Sequence, residues 1–254
     1  MKLKRIHEME AYIHSRGTVS IDELCEHFEV SKNTVRRDLD KIIQGGNVKK
    51  VYGGVVSLDI DQLQPYEKRD TKHDKQKALI GKYAASLIEE GDLVFIDSGT
   101  TTRHIAKYLN PDMALTIVTN NLDIINAVSE YPNYRIFVIG NTFKATTRSF
   151  VNVEDQGFFD RINITKAFMA ASALSVERGV TNSDMLEYEI KHQIVNKTPR
   201  NFLLVDNSKF DRAALQTYAS IDTFEGIITD LPPTEKYIEY CEAHDVALYY
   251  PAEG

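Results

Sequence analysis

Two stretches of the 254-residue chain concentrate side chains suited to binding anions. The first is Ser31-Lys32-Asn33-Thr34-Val35-Arg36-Arg37 and the second Asp97-Ser98-Gly99-Thr100-Thr101-Thr102. Arginine and asparagine can each make paired hydrogen bonds to base edges, arginine to guanine and asparagine to adenine. The second stretch joins a glycine to a run of hydroxyls. At a helix start it offers backbone N–H groups, O–H donors and a favourable dipole to a phosphate or carboxylate. No lysine completes a nucleoside-triphosphate loop. Plain helix capping accounts for one serine or threonine, hardly for four within five positions. Thr119-Asn120-Asn121, Gly140-Asn141 and Asp206-Asn207-Ser208-Lys209-Phe210 are further polar groups, each after a strand-like run. The planar fork of Arg148 suits a carboxylate or phosphate, and equally a surface ion pair.

These groups need elements to hold them. Leu3, Ile6, Met9 and Ile13 recur every three to four residues, which predicts a helix ending at Arg16-Gly17. Ser20-Ile21-Asp22-Glu23 is a capping box for a second helix with Ile21, Leu24, Cys25 and Phe28 on one face. Ser31 caps a third that turns Val35, Leu39, Ile42 and Ile43 inward and stops at Gly45-Gly46. Residues 48–56 then predict a hairpin around Gly53-Gly54, with Lys49 and Lys50 along a phosphate backbone or minor groove. Three helices and a hairpin make a winged helix-turn-helix, whose third helix enters the major groove. A plain helical bundle is the bland alternative.

Residues 58–73 turn polar and read as a linker stiffened at Pro65. Beyond it, helical and strand patterns alternate. Helices are predicted around Ile80–Ile88, 103–109, Leu122–Ser129 and Leu186–Asn196. Strands are predicted at 93–96, 115–118, 135–139, 167–171, 202–205, 226–228 and 247–249. Such alternation predicts a mostly parallel α/β sheet over residues 74–254. Ligands bind outside the carboxyl ends of such strands, where the polar motifs fall.

Charge is divided along the chain. Residues 1–57 carry +2 and the remainder −9, and the excess concentrates to +4 over Ser31–Val51. An acidic chain with one basic stripe presents one face to polyanions. Cys25 and Cys241 lie far apart with no metal-ligand spacing, so no disulfide, metal or cofactor is expected and a reducing cytoplasm fits. The charged start, Met1 to Arg5, leads into no apolar run, so neither a secretory signal nor a membrane span is expected.

The runs Val19–Leu24, Val30–Leu39 and Tyr52–Val55 resemble the DNA-binding domain of the DeoR family of bacterial transcriptional regulators. The resemblance implies double-stranded operator DNA as a partner, contacted by Ser31, Lys32, Asn33, Thr34, Arg36 and Arg37 with Lys49, Lys50 and Tyr52. Asp38 is expected to hold a neighbouring arginine in direction. The larger half, through Asp97–Thr102, Thr119–Asn121, Gly179–Thr181, Glu187 with Lys191, and Asp206–Phe210, resembles the sensor domain of that family. It shares its fold with ribose-5-phosphate isomerase and CoA-transferase-like proteins. The resemblance implies a phosphosugar effector with its phosphate on Ser98, Gly99, Thr100, Thr101 and Thr102, beside Asp97. Asn120, Arg148, Glu187, Asp206 and Lys209 surround the sugar, and Asn121, Gly140 and Lys191 complete the pocket. Asn141 and Asn152 stand where the family often has glycine, a departure that would mark an altered pocket.

Ser31–Asp38, Phe95–Thr102, Asn121–Ala127, Arg148–Val151 and Thr181–Lys191 most resemble the inositol-catabolism repressor branch of the family. That branch responds to 2-deoxy-5-keto-gluconate 6-phosphate. Two-fold operators would require at least a homodimer, or a homotetramer. A repressor sensing another phosphosugar is the nearest alternative. From a different class, Asp97, Glu187, Asp206 and Lys209 could serve acid/base chemistry in a sugar-phosphate isomerase. The recognition helix and wing would have no role there, so an enzyme is not expected.

Overall fold

Apolar spacing in the first 60 residues closes a small core. In a computed structural model, residues 2–251 are described apart from 17, 45–47, 52, 58–65 and 154–156. The chain divides into two units, residues 1–62 and 63–254. The first contains α1 (Lys2–Arg16), β1 (Thr18–Ser20), α2 (Ile21–Phe28), α3 (Lys32–Gln44), β2 (Val48–Val51) and β3 (Gly54–Ser57). Ile6, Met9, Ile13, Leu24, Val35, Leu39 and Ile42 pack with Val19, Val48 and Val55 into one core. The predicted hairpin has a third strand: β3 lies between β1 and β2, pairing Val19 with Val55. Three residues are too short to show alternation, so β1 left no signal.

Gly53, at φ +80°, makes the turn, while Gly54 answers a different need. A Cβ on Gly54 would lie 2.3 Å from the Val19 carbonyl oxygen, so strand packing excludes any side chain there. The Ser20 hydroxyl accepts from Glu23 N at 3.1 Å as the capping box predicts, and the Glu23 carboxylate accepts from the Tyr12 hydroxyl at 3.0 Å. Glu29, left-handed at φ 51°, ends α2 and sets the tight turn into α3. Gly17, Gly45 and Gly46, predicted as helix stops, lie outside the described residues, as does the side chain of Leu3.

The second unit runs α4 (Tyr66–Thr71), α5 (Asp74–Ser86), β4 (Leu93–Ile96), a 3-10 helix (Thr102–Tyr108), β5 (Leu115–Thr119), α6 (Leu122–Val128), β6 (Tyr134–Val138), β7 (Thr142–Lys144), β8 (Ser149–Val151) and α7 (Phe158–Arg161). It continues with β9 (Lys166–Ala170), β10 (Ala173–Ser175), β11 (Gly179–Asn182), α8 (Met185–Lys197), β12 (Arg200–Leu204), β13 (Gln216–Ala219), β14 (Gly226–Ile228), α9 (Glu235–Ala243) and β15 (Ala247–Tyr249). The sheet order is β15-β14-β12-β9-β4-β5-β6, and every pairing is parallel. Neighbouring strand residues bury on opposite faces, Val94 and Ile96 in one cluster and Phe95 in the other. That is why these strands read as unbroken apolar runs. The chain starts at β4, walks outward through β5 and β6, then returns to β9 on the other side. The reversal leaves a crevice between the carboxyl ends of β4 and β9, the position where open α/β sheets bind ligands.

The linker expectation needs correction in its second half. Residues 66–71 form α4, whose Tyr66 is buried and donates its hydroxyl to Asp123. A six-residue helix anchored by one aromatic shows no apolar periodicity, so it passes as polar linker. The β7–β8 hairpin and the antiparallel set β10-β11-β13 were also invisible, again in strands of three or four residues.

Candidate functional site

Helix α3 turns Val35, Asp38, Leu39 and Ile42 inward and leaves Lys32, Asn33, Arg36 and Arg37 exposed. Ser31 and Thr34 act on the helix start: the Ser31 hydroxyl lies 3.4 Å from Thr34 N and 3.1 Å from the Thr34 hydroxyl. Lys32 pairs with Asp22 of α2 at 2.5 Å, which holds its ammonium above the ordinary lysine range. The groups left pointing outward are Asn33, Arg36 and Arg37. Asp38 is fully buried and does hold an arginine, but the partner is Arg5 of α1, at 2.9 Å from Nε and 2.7 Å from Nη2. The pair locks α3 against α1 rather than aiming either arginine of α3. Lys49 and Lys50 are both exposed on β2, and as adjacent strand residues they face opposite sides. Tyr52 lies outside the described residues.

In the second unit, Asp97 ends β4 with no exposed surface. Its Oδ1 accepts from Ser98 N at 2.8 Å, and its Oδ2 from Ala170 N at 2.9 Å and from the Lys191 ammonium. Lys191 also donates to the Ala170 carbonyl at 3.1 Å and sits 5.4 Å from the ring centre of Tyr218. Burial pushes the Asp97 carboxyl above its ordinary range, against the pull of Lys191 and with the push of Glu187. Asp97 and Lys191 therefore occupy each other, clamping β4, β9 and α8 together across the crevice.

Glu187 forms the next layer. Its Oε1 accepts from the hydroxyls of Ser98 and Ser149, both at 2.8 Å, and its Oε2 from Asn182 at 3.2 Å. The Asn120 amide nitrogen donates to Ser98 Oγ at 3.4 Å and to the Phe150 carbonyl at 3.2 Å. Its Oδ1 is buried with no protein partner among the described residues. Ser149, Asn182 and Tyr218 belong to this network and were not anticipated, because only the fold brings them near residue 97.

The loop over residues 98–102 sorts into separate jobs. A Cβ on Gly99 would come 2.7 Å from the Ala170 Cβ, so β9 excludes one. Thr102 donates to the carbonyls of Asp97 and Gly99 at 2.7 and 3.2 Å, a local bracing. Thr100 accepts from the Lys77 ammonium at 3.0 Å. Thr101 opens the 3-10 helix without a side-chain cap bond.

The remaining expected groups divide similarly. Asn121 caps α6 through Asp123 N at 2.8 Å and Ile124 N at 3.4 Å. Gly140, at φ +95°, lies against the backbone of Phe150. Arg148 forms the ion-pair alternative: its Nε and Nη2 reach Asp123 at 3.0 and 2.6 Å. Asn152 sits at φ 60°, left-handed backbone that glycine or asparagine tolerates. Asp206 holds Ser208 through Oδ1 and keeps Oδ2 buried without a partner among the described residues. Lys209 is half-buried beside it. Lys77 was missed, although it stands one turn before Ile80 on the apolar face of α5, an unusual place for a lysine. It is buried and donates to Thr100 and to the Arg69 carbonyl.

Residues 5–61 match the DeoR-like helix-turn-helix domain, and residues 72–231 match the DeoR C terminal sensor domain. The chain belongs to the DeoR family. It is a DNA-binding transcriptional regulator, and its sensor domain implies a sugar-phosphate effector. Among its relatives, the HTH-type transcriptional regulator IolR of Bacillus subtilis (strain 168) is 50% identical over 249 residues, 98% of this chain and 99% of that protein. The glycerol-3-phosphate regulon repressor of Escherichia coli (strain K12) is 28% identical over 93% of this chain and 94% of its own length. These relatives are regulators, and this DeoR-family chain is one rather than an enzyme. A ribose 5-phosphate isomerase A from Methanocaldococcus jannaschii aligns with 55% of each chain at 13% identity and a TM-score of 0.41. Among the described residues no helix is long and apolar enough to cross a membrane.

Proposed function

We propose that this regulator represses a carbohydrate catabolic operon, that of myo-inositol breakdown. In this reading a phosphorylated sugar acid such as 2-deoxy-5-keto-gluconate 6-phosphate releases it from its operator. The exposed Asn33, Arg36 and Arg37 on a helix braced from behind support base readout in the major groove. The observation that carries the effector reading is the loop at the β4/β9 crevice. Its Thr101 hydroxyl makes no cap bond, and next to the loop lies Asn120 with a buried acceptor oxygen lacking a hydrogen-bond partner among the described residues. A phosphate on the loop and hydroxyls toward Asn120, Glu187 and Asp206 would match donors with acceptors. The inositol branch rests on the motif resemblance and agrees with 50% identity to IolR over nearly the whole chain. The effector acts by binding the operator-free arrangement more tightly than the operator-competent one. A two-fold operator takes at least a dimer of this chain.

Fluorescence anisotropy on DNA from its own upstream region, titrated with phosphosugars, tests this. Release at micromolar concentration by 2-deoxy-5-keto-gluconate 6-phosphate alone is the expected result. Release by a different phosphosugar overturns the inositol assignment. Bound DNA that no phosphosugar releases overturns the sensing reading.

A further inference from the structure

The two edges of the seven-stranded sheet are finished differently. β15 has three residues, follows Asp245 in left-handed backbone at φ 56°, and runs into Pro251. A short strand and a nearby proline are ordinary ways to stop an edge from pairing with another chain. β6, at the other edge, has five residues, Tyr134-Arg135-Ile136-Phe137-Val138, with one charge and no proline or bulge. Ile139 N donates to the Thr119 carbonyl at 3.0 Å, and the Asn133 carbonyl accepts from Leu115 N at 3.5 Å, so odd-numbered residues face β5. The N–H and C=O groups of Ile136 and Val138 therefore point away from the sheet. Among the described residues nothing hydrogen-bonds to them from that side. The side chains are open too: Phe137 is 42% and Val138 46% exposed, on opposite faces. Charge sets this region apart. Residues 58–254 carry −9, yet Asn133 to Val153 holds no carboxylate. Of its three cations, Lys144 pairs with Asp184 at 2.5 Å and Arg148 with Asp123 at 2.6 Å, which leaves Arg135. Two copies of so acidic a unit repel over most of their surface, and least along β6.

We propose that β6 is where two copies of this chain pair, strand against strand and antiparallel, about a two-fold axis at Phe137. The proposal rests on the dimer reading above and adds a surface to it. A two-fold axis perpendicular to the sheet keeps each face on its own side, so a residue meets one of its own parity. With the axis at Phe137, the outward N–H and C=O of Ile136 meet the C=O and N–H of the partner's Val138, and symmetry repeats the pair. Both exposed side chains gain apolar neighbours: Phe137 meets the partner's Phe137, and Val138 the partner's Ile136. An axis at Ile136 fits less well. It would set Val138 against the partner's Tyr134, whose N–H is already bound to the Tyr131 carbonyl at 3.1 Å. Pairing along β6 joins the two sheets into one and supplies one DNA-binding unit per copy, as a two-fold operator needs.

Sedimentation equilibrium of the full chain without DNA tests this, on wild type, Phe137→Glu, Phe137→Lys and an equimolar mixture of the two variants. Phe137 is exposed in the single chain, so both variants should keep the wild-type circular dichroism spectrum. Wild type should be dimeric at micromolar concentration. Each variant alone loses an apolar pair and sets like charges directly opposite, so it should dimerise about tenfold more weakly or worse. The mixture sets opposite charges there and should recover the dimer, which misfolded variants would not do. If wild type is a monomer, the dimer reading and this inference fall together. If wild type is a dimer and each variant alone associates as tightly, the copies meet at another surface and only this inference falls. If the variants are monomers and their mixture is too, the axis at Phe137 is overturned.

Discussion

The two units handle charge in opposite ways. The DNA-binding unit keeps its core apolar apart from Asp38 and sets Asn33, Arg36 and Arg37 in solvent, where an ion costs little until DNA arrives. The sensor unit buries Asp97, Glu187 and Lys191 within its crevice, where each must be answered by another group. Function on the first surface therefore reduces to which side of a helix a residue occupies. In the second it depends on who pairs with whom.

The contrast breaks most sharply at Lys191. Replacing it with Met leaves Asp97 buried without its counter-charge, an expected loss of about 3–5 kcal/mol of stability in denaturant unfolding. Asp97→Asn in the same chain should restore part of it. A loss below about 1 kcal/mol would show that the clamp is not structural. Thr101→Val removes a donor to a charged ligand, about 1.5–3 kcal/mol, so effector release should weaken roughly 10- to 150-fold at unchanged operator affinity. Equal weakening of both in anisotropy titrations would place Thr101 outside the ligand site. In the other unit, Arg36→Ala should lose about 1–3 kcal/mol of operator affinity with relaxed base preference. Its stability should stay within about 0.5 kcal/mol, as for an exposed residue. A fall in melting temperature instead would mean that this face is not merely presented to solvent.

Two smaller effects sharpen the comparison. The Lys77 amine titrates at about 8 in the folded chain against 10.5 ordinarily. Across that interval the unfolded chain holds a proton that the folded chain has released, so its contribution to stability without effector rises with pH. Subtracting a Lys77→Met profile isolates that rise, and a flat difference would refute the lowered value. Last, Lys49→Ala should reduce the salt dependence of operator binding by about one unit of log–log slope, with sequence preference intact.

The first unit was legible from spacing because its pairings are local. Ser20 reaches Glu23 over three positions, and the inward set of α3 repeats with the helical period. Even there, the partner of Asp38 proved to be Arg5, 33 positions away. In the sensor unit the parallel sheet was readable, since strands buried on both faces are apolar throughout. Its site was readable only as types of residue. Ser98 and Glu187 are separated by 89 positions, Asp97 and Lys191 by 94. Which polar residues would be consumed by structure, as Asn121, Thr102 and Arg148 are, depends on contacts that no local pattern encodes. Strands of three residues and the one-anchor helix α4 failed for a simpler reason: they are shorter than the periods used to find them.

Gly99 is bare because the Ala170 methyl group occupies the space its side chain would need. In a descendant that had ceased to sense anything, that glycine would persist, since the sheet beneath would still forbid its loss. Thr101, whose hydroxyl caps nothing, would be free to drift. Among sequences of this kind, the glycine marks an intact scaffold, and on the proposed effector reading the threonine two places on tells whether the scaffold is still in use.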